Sequence, residues 1–382
     1  MHTGEGAIKT PKPRHPRFDG PRLERAFAVV ERHVREGHLP AAVLAVAGPD
    51  GPAQIVACGA NATGERVTAE HRFCVASVTK PIVATAVMQF VEEGRIALTE
   101  PIARRLPAFA PAPSPQGGRG EDIRLWHLLS HTSGVVDVAW TPDTIPTRED
   151  IIQHLCRQAL EFPPGAAYRY ASDTFFLLAD MVASSDGGAT FADSLRERLL
   201  APLGMTATSF RPEEPGFPSA DLTMIGVAPE IVAAWRTWFA GMEHPGGGLW
   251  SSAADLMAFG RAMLHGGRLG GRRILGARSV ALMTREQTAG LFEPGDPPRR
   301  PAYGFGWSRP GLTGQLPVSP GAFQHTGASG SRLLIDPQEG LVIALLAGVW
   351  GSPGERSDEV IAAVYAALED PDPAPPPAGS GQ

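Results

Sequence analysis

The chain has 382 residues, of which 43% are apolar and 19% are charged, the balance of a soluble globular protein with a large core. A net charge of −6 without any Lys/Arg-rich cluster argues against nucleic acid or an anionic membrane surface as a partner. Three widely separated cysteines exclude a disulfide framework and show no zinc-ligand spacing.

The two ends of the chain carry few apolar residues. Residues 1–20 are polar and proline-rich, without the apolar core of a signal peptide, and we expect them to be flexible. No later segment is long and apolar enough to cross a bilayer, so we predict a cytoplasmic protein without membrane contact. Residues 371–382 are rich in Pro and Gly and predict a disordered tail.

The first predicted elements are a helix, a hairpin and a second helix. Residues 21–37 carry apolar side chains at helical spacing, at Leu23, Phe27, Val30 and Val34. Two apolar runs, 41–47 and 54–58, flank the turn GPDGP and predict paired strands. An apolar run from Ser77 to about Gly94 predicts a helix long enough to cross a domain core.

The middle of the chain has mainly helical patterns. A short helix in IRLWHLLSHTSGV breaks at Ser133-Gly134, and longer helical patterns follow at 148–161, 174–185, 190–200 and 252–265. Strand patterns return at 302–310 and at 322–350, where a turn at 336–340 separates antiparallel strands. The last predicted helix covers about 356–368.

This order predicts an α+β fold, in which an antiparallel sheet flanked by helices is built from both parts of the chain that carry strands. Residues 21–104 and 295–370 would form the sheet domain, and residues 105–294 an inserted, mainly helical domain. Clefts form at such junctions, and the start of the helix at Ser77 would face this one.

The segment CVASVTKPIVATAVMQF places Ser77 and Lys80 one helical turn apart. Residues i and i+3 lie on one helix face, and a serine hydroxyl needs a base beside it to act as a nucleophile. Lysine is a base only when neutral, which burial favours by lowering its pKa. Alone, the pattern is weak, and a serine that caps the helix beside a solvated lysine explains it better than catalysis does.

Two further segments favour the catalytic interpretation. In AAYRYASDTFF, Tyr170 and Ser172 precede a helix. At that position Tyr170 would take part in proton transfer between Ser77 and Lys80. In QHTGASGS, the residues His325, Thr326 and Gly327 lie on a predicted strand. The N–H of Ala328, together with that of Ser77, would complete an oxyanion hole.

These three elements, in this order, resemble the serine β-lactamase and penicillin-binding-protein superfamily, whose motifs include Ser-x-x-Lys and Lys-Thr-Gly. The middle motif, Tyr-x-Ser, is similar to that of class C β-lactamases and D-Ala-D-Ala carboxypeptidases. The resemblance is closest to family VIII carboxylesterases and related transesterases. It spans about residues 22–369 and includes LLSHTSG, PLGMTATSF, PGGGLWSSAADLMAFGRAML and YGFGW.

The resemblance implies a role for each motif residue. Ser77 would be the acylated nucleophile, with Lys80 and Tyr170 as general bases and proton shuttles. Ser172 stands where asparagine is commoner and would hydrogen-bond to Lys80. His325, Thr326 and Gly327 hold the Lys-Thr-Gly positions. No metal or organic cofactor is expected, and the partner would be a small ester or amide.

We therefore predict a serine hydrolase that cleaves carboxylic esters. A neutral His325 weakens the binding of a substrate carboxylate, which favours esters over β-lactams. The alternatives are a β-lactamase, a D-amino-acid peptidase or amidase, an acyltransferase, and a catalytically silent binding protein of the same fold. The oligomeric state has no sequence signal. We expect His131 to be structural, Tyr170 rather than Tyr168 to be the base, and Trp235 to lie either in the core or in an acyl pocket.

Overall fold

The computed structural model describes residues 15–138 and 146–369. Its strands are β1 (Ala41–Ala47), β2 (Gln54–Gly59), β3 (Phe73–Cys74), β4 (Thr223–Met224), β5 (Trp250–Ser251), β6 (Arg268–Leu269), β7 (Arg272–Arg273), β8 (Phe323–Thr326), β9 (Arg332–Asp336), β10 (Leu341–Ala347) and β11 (Val349–Trp350). The predicted disordered tail and the first 14 residues lie outside the described residues.

The described helices are α1 (Gly20–Arg35), α2 (Thr79–Glu92), α3 (Ile102–Arg105), α4 (Leu125–Leu129), α5 (Arg148–Arg157), α6 (Thr174–Ser185), α7 (Phe191–Leu195), α8 (Ala201–Leu203), α9 (Pro229–Gly241), α10 (Ala253–Leu264), α11 (Ala277–Thr284) and α12 (Gly354–Tyr365). Seven of them, α2 to α8, follow one another between β3 and β4, and the others are spread along the chain. None of the described helices has the length and apolar character needed to span a membrane.

The central sheet has five antiparallel strands in the order β2-β1-β10-β9-β8. All seven residues of β1 are buried, because both faces of the sheet are covered by helices. Successive side chains of a strand point to opposite faces. Val43 and Ala45 therefore join the core beneath α2 and α10, whereas Leu44 and Val46 join the core beneath α1 and α12.

Helix α1 begins and ends at sequence signals of the expected kind. The Asp19 side chain caps it by accepting a hydrogen bond from the N–H of Arg22, and Gly37 follows it with a φ of 73°. Residues 15–19, part of the segment expected to be flexible, lie beside residues 367–369. The N–H of Asp19 donates to the carbonyl of Ala367 at 2.9 Å, and that of Glu369 to Arg17, also at 2.9 Å.

Helix α10 lies within the range assigned to the helical domain, yet it packs directly on β1, β9 and β10. Gly260 allows this close approach, because a Cβ there would lie only 2.5 Å from Cγ1 of Val342. One continuous hydrophobic core runs from the sheet through α2 and α10 into α4 and α6. The sheet and the helices beyond it therefore share their interior.

The predicted strand at 302–310 is wrong. Within this segment, Tyr303 and Ser308 make only isolated bridges, with each other and from Ser308 to Gln324 of β8. Gly306 turns the chain with a φ of 74°. A Cβ on Gly306 would lie 2.7 Å from the Cβ of Ala84, so this segment is a tight turn pressed against α2. Two glycines in a short apolar run favour such a turn over an extended strand.

Candidate active site

Ser77 lies in a 3₁₀ turn, Ala76–Val78, between β3 and α2. The residue before it, Ala76, has a φ of 45°, a left-handed conformation that costs a non-glycine residue about 1–2 kcal/mol. The turn is held from β5, since the N–H of Val75 donates to the carbonyl of Leu249 at 3.0 Å. The predicted helix therefore begins two residues after Ser77, and the hydroxyl projects from a strained turn.

Lys80 lies in the first turn of α2 and is fully buried. Its Nζ is 3.1 Å from the Oγ of Ser77, 2.9 Å from the Oγ of Ser172 and 2.6 Å from the carbonyl oxygen of Gly246. Burial lowers the pKa of Lys80 from 10.5 to about 7, against the opposing effect of the carboxylates of Asp137 and Asp173. The amine is thus partly neutral near neutral pH and faces the serine.

Tyr170 adjoins the Ser77–Lys80 pair, and its ring centroid is 4.6 Å from Nζ of Lys80. Burial raises the pKa of its phenol above the ordinary value, while hydrogen bonds with Ser77 and Ser172 act in the opposite direction. Tyr168 instead lines a cavity of about 800 Å³ on the other side of Tyr303. The structure thus brings Ser77, Lys80, Tyr170 and Ser172 together.

His131 contacts the segment that carries Tyr170. It is buried and has a φ of 58°. Its Nδ1 accepts a hydrogen bond from the N–H of Ala171 at 3.2 Å, and its carbonyl oxygen accepts one from the N–H of Arg169 at 2.9 Å. The ring centroids of His131 and Tyr170 are 4.5 Å apart. These contacts are structural, as expected, and they position the segment that carries Tyr170.

Two carboxylates beneath the site were missed by the sequence analysis. Asp137 accepts hydrogen bonds from the N–H groups of Ser172 and Asp173, each at 2.8 Å. Burial and the neighbouring Asp173 raise the pKa of Asp137 to about 6. Both acids follow stretches without a periodic pattern, so only their position in the fold reveals them as neighbours of Lys80.

A hydrogen-bonded chain connects Asp173 to Lys80. Nε2 of His244 lies 3.1 Å from Oδ1 of Asp173, and its Nδ1 accepts from the N–H of Gly246 at 3.0 Å. Because Nδ1 accepts, Nε2 carries the proton and donates to the carboxylate. His244 therefore holds Gly246, whose carbonyl oxygen accepts a hydrogen bond from Lys80. No residue spacing in the sequence predicts this arrangement.

His325 is buried and engaged on both ring nitrogens. Its Nδ1 is 2.8 Å from the carbonyl oxygen of Thr326, and its Nε2 is 2.9 Å from the hydroxyl of Tyr303. A carbonyl only accepts, so Nδ1 donates and Nε2 accepts from the tyrosine. Burial, with a contribution from Lys80, lowers the pKa of His325 to about 3. The imidazole is neutral and has no N–H left for a ligand.

The end of β8 lies against the turn that carries Ser77. A Cβ on Gly327 would be 2.4 Å from the carbonyl oxygen of Val75, so only glycine allows this approach. Thr326 and Ala328 are exposed beside it. The backbone N–H groups of Ser77 and Ala328 belong to these two neighbouring segments and are the candidates for an oxyanion hole.

Trp235 belongs to the core rather than to an acyl pocket. It is 4% exposed, and its ring stacks on Phe239 with a centroid distance of 4.5 Å. Phe239 in turn lies behind the glycine loop, with Cζ 3.5 Å from where a Cβ of Gly247 would be. No group of His, Cys, Asp and Glu side chains suited to a metal ion lies at this site within residues 15–138 and 146–369.

Comparisons with known proteins place the chain in a family. The sequence profile of the beta-lactamase family matches residues 26–367. Penicillin-binding protein 4 of Amycolatopsis lactamdurans is 33% identical over 325 residues, 81% of this chain and 81% of its own. Esterase EstB of Burkholderia gladioli is 29% identical over 386 residues, 90% of this chain and 95% of its own.

Solved structures share the same fold. A family VIII carboxylesterase superposes with a TM-score of 0.74 at 21% identity, over 91% of this chain and 97% of its own. EstCE1, described as a hydrolase with promiscuous acyltransferase activity, also has a TM-score of 0.74, at 22% identity, over 90% of this chain and 98% of its own.

Proposed function

This chain belongs to the beta-lactamase family, and from that premise we propose that it is a carboxylesterase that cleaves small uncharged esters through an acyl-enzyme on Ser77. The family resemblance and the α+β fold predicted from the sequence are confirmed. The predicted enzyme class, a serine hydrolase, is also confirmed by the esterase and carboxylesterase relatives. The ester specificity and the role of each residue form the proposal.

The observation that carries the proposal is the set of three contacts made by Nζ of Lys80. A neutral amine has two hydrogens and one lone pair. The carbonyl of Gly246 and the hydroxyl of Ser172, at 2.6 and 2.9 Å, take the two hydrogens. The lone pair is then directed at the Oγ of Ser77, 3.1 Å away, which is the geometry of a general base beside its nucleophile.

In the proposed acylation, Oγ of Ser77 forms a bond to the ester carbonyl carbon while its proton passes to Lys80. The carbonyl oxygen becomes an oxyanion and is held by the N–H groups of Ser77 and Ala328. When the C–O bond to the alcohol breaks, Lys80 returns the proton to the leaving alkoxide, either directly or through the hydroxyl of Tyr170. The acyl group stays on Ser77.

In the proposed deacylation, water attacks the acyl carbon and its proton passes through Tyr170 toward Lys80. The acid leaves, and Ser77 regains its proton. Because burial raises the pKa of Tyr170 and lowers that of Lys80, we assign the resting base to Lys80. Tyr170 then serves as a proton relay that keeps its own proton between steps.

His325 supports esters over carboxylate-bearing β-lactams. A lysine at this position would offer a charge-assisted hydrogen bond worth about 1.5–3 kcal/mol to a substrate carboxylate, which is about one to two decades of rate. The neutral imidazole has both nitrogens occupied by Tyr303 and Thr326. EstB, at 29% identity, is named an esterase, which supports the same choice.

A β-lactam or a D-amino-acid peptide is the second candidate substrate class. It is favoured by the 33% identity to a protein named penicillin-binding protein 4. The two classes differ in whether they need a cation for a substrate carboxylate, so one pair of substrates separates them.

The test compares kcat/KM for p-nitrophenyl butyrate and for nitrocefin at pH 7.5. We expect efficient cleavage of the ester and weak or no hydrolysis of nitrocefin. Ser77→Ala should abolish turnover, whereas Ser184→Ala, which removes a hydroxyl bonded to the Met181 carbonyl on α6, should not. A fluorophosphonate probe should label Ser77. A preference for nitrocefin would overturn the ester assignment, and a label on another serine would overturn the nucleophile.

A further inference from the structure

A second cluster of potential ligands lies at the C-terminal end of α1, in the sequence HVREGH (residues 33–38). Gly37 reverses the chain with a φ of 73°. The N–H groups of His38 and Leu39 then donate to the carbonyl of His33, at 2.9 and 3.2 Å. This tight helix end folds His38 back over His33 and leaves Glu36 between them.

The three side chains present ligand atoms at short mutual distances. The Nδ1 atoms of His33 and His38 are 3.3 Å apart, and Nδ1 of His38 is 3.5 Å from Oε2 of Glu36. One ligand atom from each residue lies within 4.8 Å of the other two. Tetrahedral Zn²⁺ with bonds of about 2.0–2.1 Å separates its ligand atoms by about 3.3–3.4 Å, so the two shortest separations match a metal-bound set.

The other ring nitrogen of His33 faces a carboxylate. Its Nε2 is buried without a hydrogen-bond partner. It lies 3.3 Å from Oε2 of Glu359 on α12, an oxygen that also pairs with Arg32. Metal-binding histidines characteristically donate their second N–H to such a carboxylate, which fixes the ring and increases its basicity.

We propose that His33, Glu36 and His38 form a binding site for Zn²⁺, with Glu359 orienting His33 from the outside. Two imidazoles and one carboxylate are a ligand set that suits zinc and neighbouring transition metals rather than Ca²⁺ or Mg²⁺. Water completes the coordination, because Glu36 and His38 are about half exposed.

The site lies on the face of the sheet that α1 and α12 cover, opposite to the face that packs on α2. Zinc there would join the end of α1, the turn before β1 and, through Glu359, helix α12. It would stabilise the fold and take no part in ester cleavage. The competing interpretation is a plain hydrogen bond between the two imidazoles, which needs no metal.

The experiment titrates Zn²⁺ into the untagged full chain, freed of metal by a chelator and followed by calorimetry. We expect one saturable equivalent. A hundredfold excess over Kd should raise Tm by about 3–4 °C. His38→Ala removes a partly exposed ligand and should weaken binding more than tenfold, and Glu359→Gln should weaken it about 10–100-fold.

His15→Ala is the matched control, since His15 is exposed and outside the cluster; it should leave the Zn²⁺ affinity unchanged. Co²⁺ bound to the wild type should show the visible absorption of a tetrahedral complex, and His38→Ala should abolish that absorption. Absence of saturable binding, or equal affinity in wild type and His38→Ala, would overturn the site and leave the imidazole hydrogen bond as the explanation.

Discussion

Acidification should switch off ester hydrolysis near neutral pH, because it protonates the proposed base. Burial lowers the pKa of Lys80 to about 7. At pH 7.5 about three-quarters of the amine would then be neutral, compared with about 0.1% for a lysine at its ordinary pKa of about 10.4. At pH 6 the neutral fraction falls to about a tenth. Activity should therefore rise with pH through an apparent pKa near 7.

The assay is kcat/KM for p-nitrophenyl butyrate from pH 5 to 9, in wild type and Asp137→Asn, with circular dichroism to show that the fold persists. The negative charge of Asp137 raises the pKa of Lys80. Removing this charge should therefore move the acid limb, the part of the pH profile in which activity rises with pH, to lower pH. Asp180→Asn is the control. Asp180 is a partly buried carboxyl on α6 that pairs with Arg148. The acid limb of this variant should stay at the wild-type pH.

Two results would refute this reasoning. Disappearance of the acid limb in Asp137→Asn would show that the limb reports protonation of Asp137, whose own pKa is raised to about 6. A limb that stays in place would show that Asp137 and the base do not interact. Because neighbouring groups titrate as a unit, the shift of the limb between variants decides the assignment, rather than its absolute position.

Two further predictions concern the residues around Lys80. Tyr170→Phe should lower kcat/KM for the ester by several orders of magnitude, because removing one member of a catalytic unit disables the whole. Tyr168→Phe should lower kcat/KM only slightly. The reverse order of the two effects would contradict the choice of Tyr170 as the tyrosine of the middle motif. Gly246→Ala should lower kcat/KM at least tenfold, because its Cβ would lie 2.4 Å from the carbonyl oxygen of Ser172 and displace the loop. Gly241→Ala is its control, since a Cβ there meets nothing within 4 Å, and equal losses in the two variants would contradict the proposed positioning.

The sequence predicted the elements that have strong local signals. The run at 41–47 is β1, and the helical pattern at 174–185 is α6, with the same bounds. Helix α11 was missed, since its eight residues are fewer than the window over which helical spacing is read. The strand at 302–310 failed because close packing of Gly306 against Ala84 is a tertiary contact. No local spacing reports such a contact.

The candidate site divides in the same way. Ser77 and Lys80 are neighbours on one turn, so spacing alone predicts their contact. Asp137 and His244 reach the site through hydrogen bonds across the fold, to Ser172 and Asp173 respectively, and neither has a motif. The sequence predicted a neutral His325 from the ordinary pKa of histidine. The hydrogen bond that His325 accepts from the Tyr303 hydroxyl was not predicted, because it depends on a turn that the sequence analysis took for a strand.

The close contact of Gly260 with Val342 bears on how substrates are selected. Because α10 is pressed onto the sheet without a spacer methyl group, and the core runs unbroken through it, moving α10 away from the sheet would break close-packed contacts. We therefore expect the choice of acyl group to depend on the side chains around Ser77 rather than on a movement of α10.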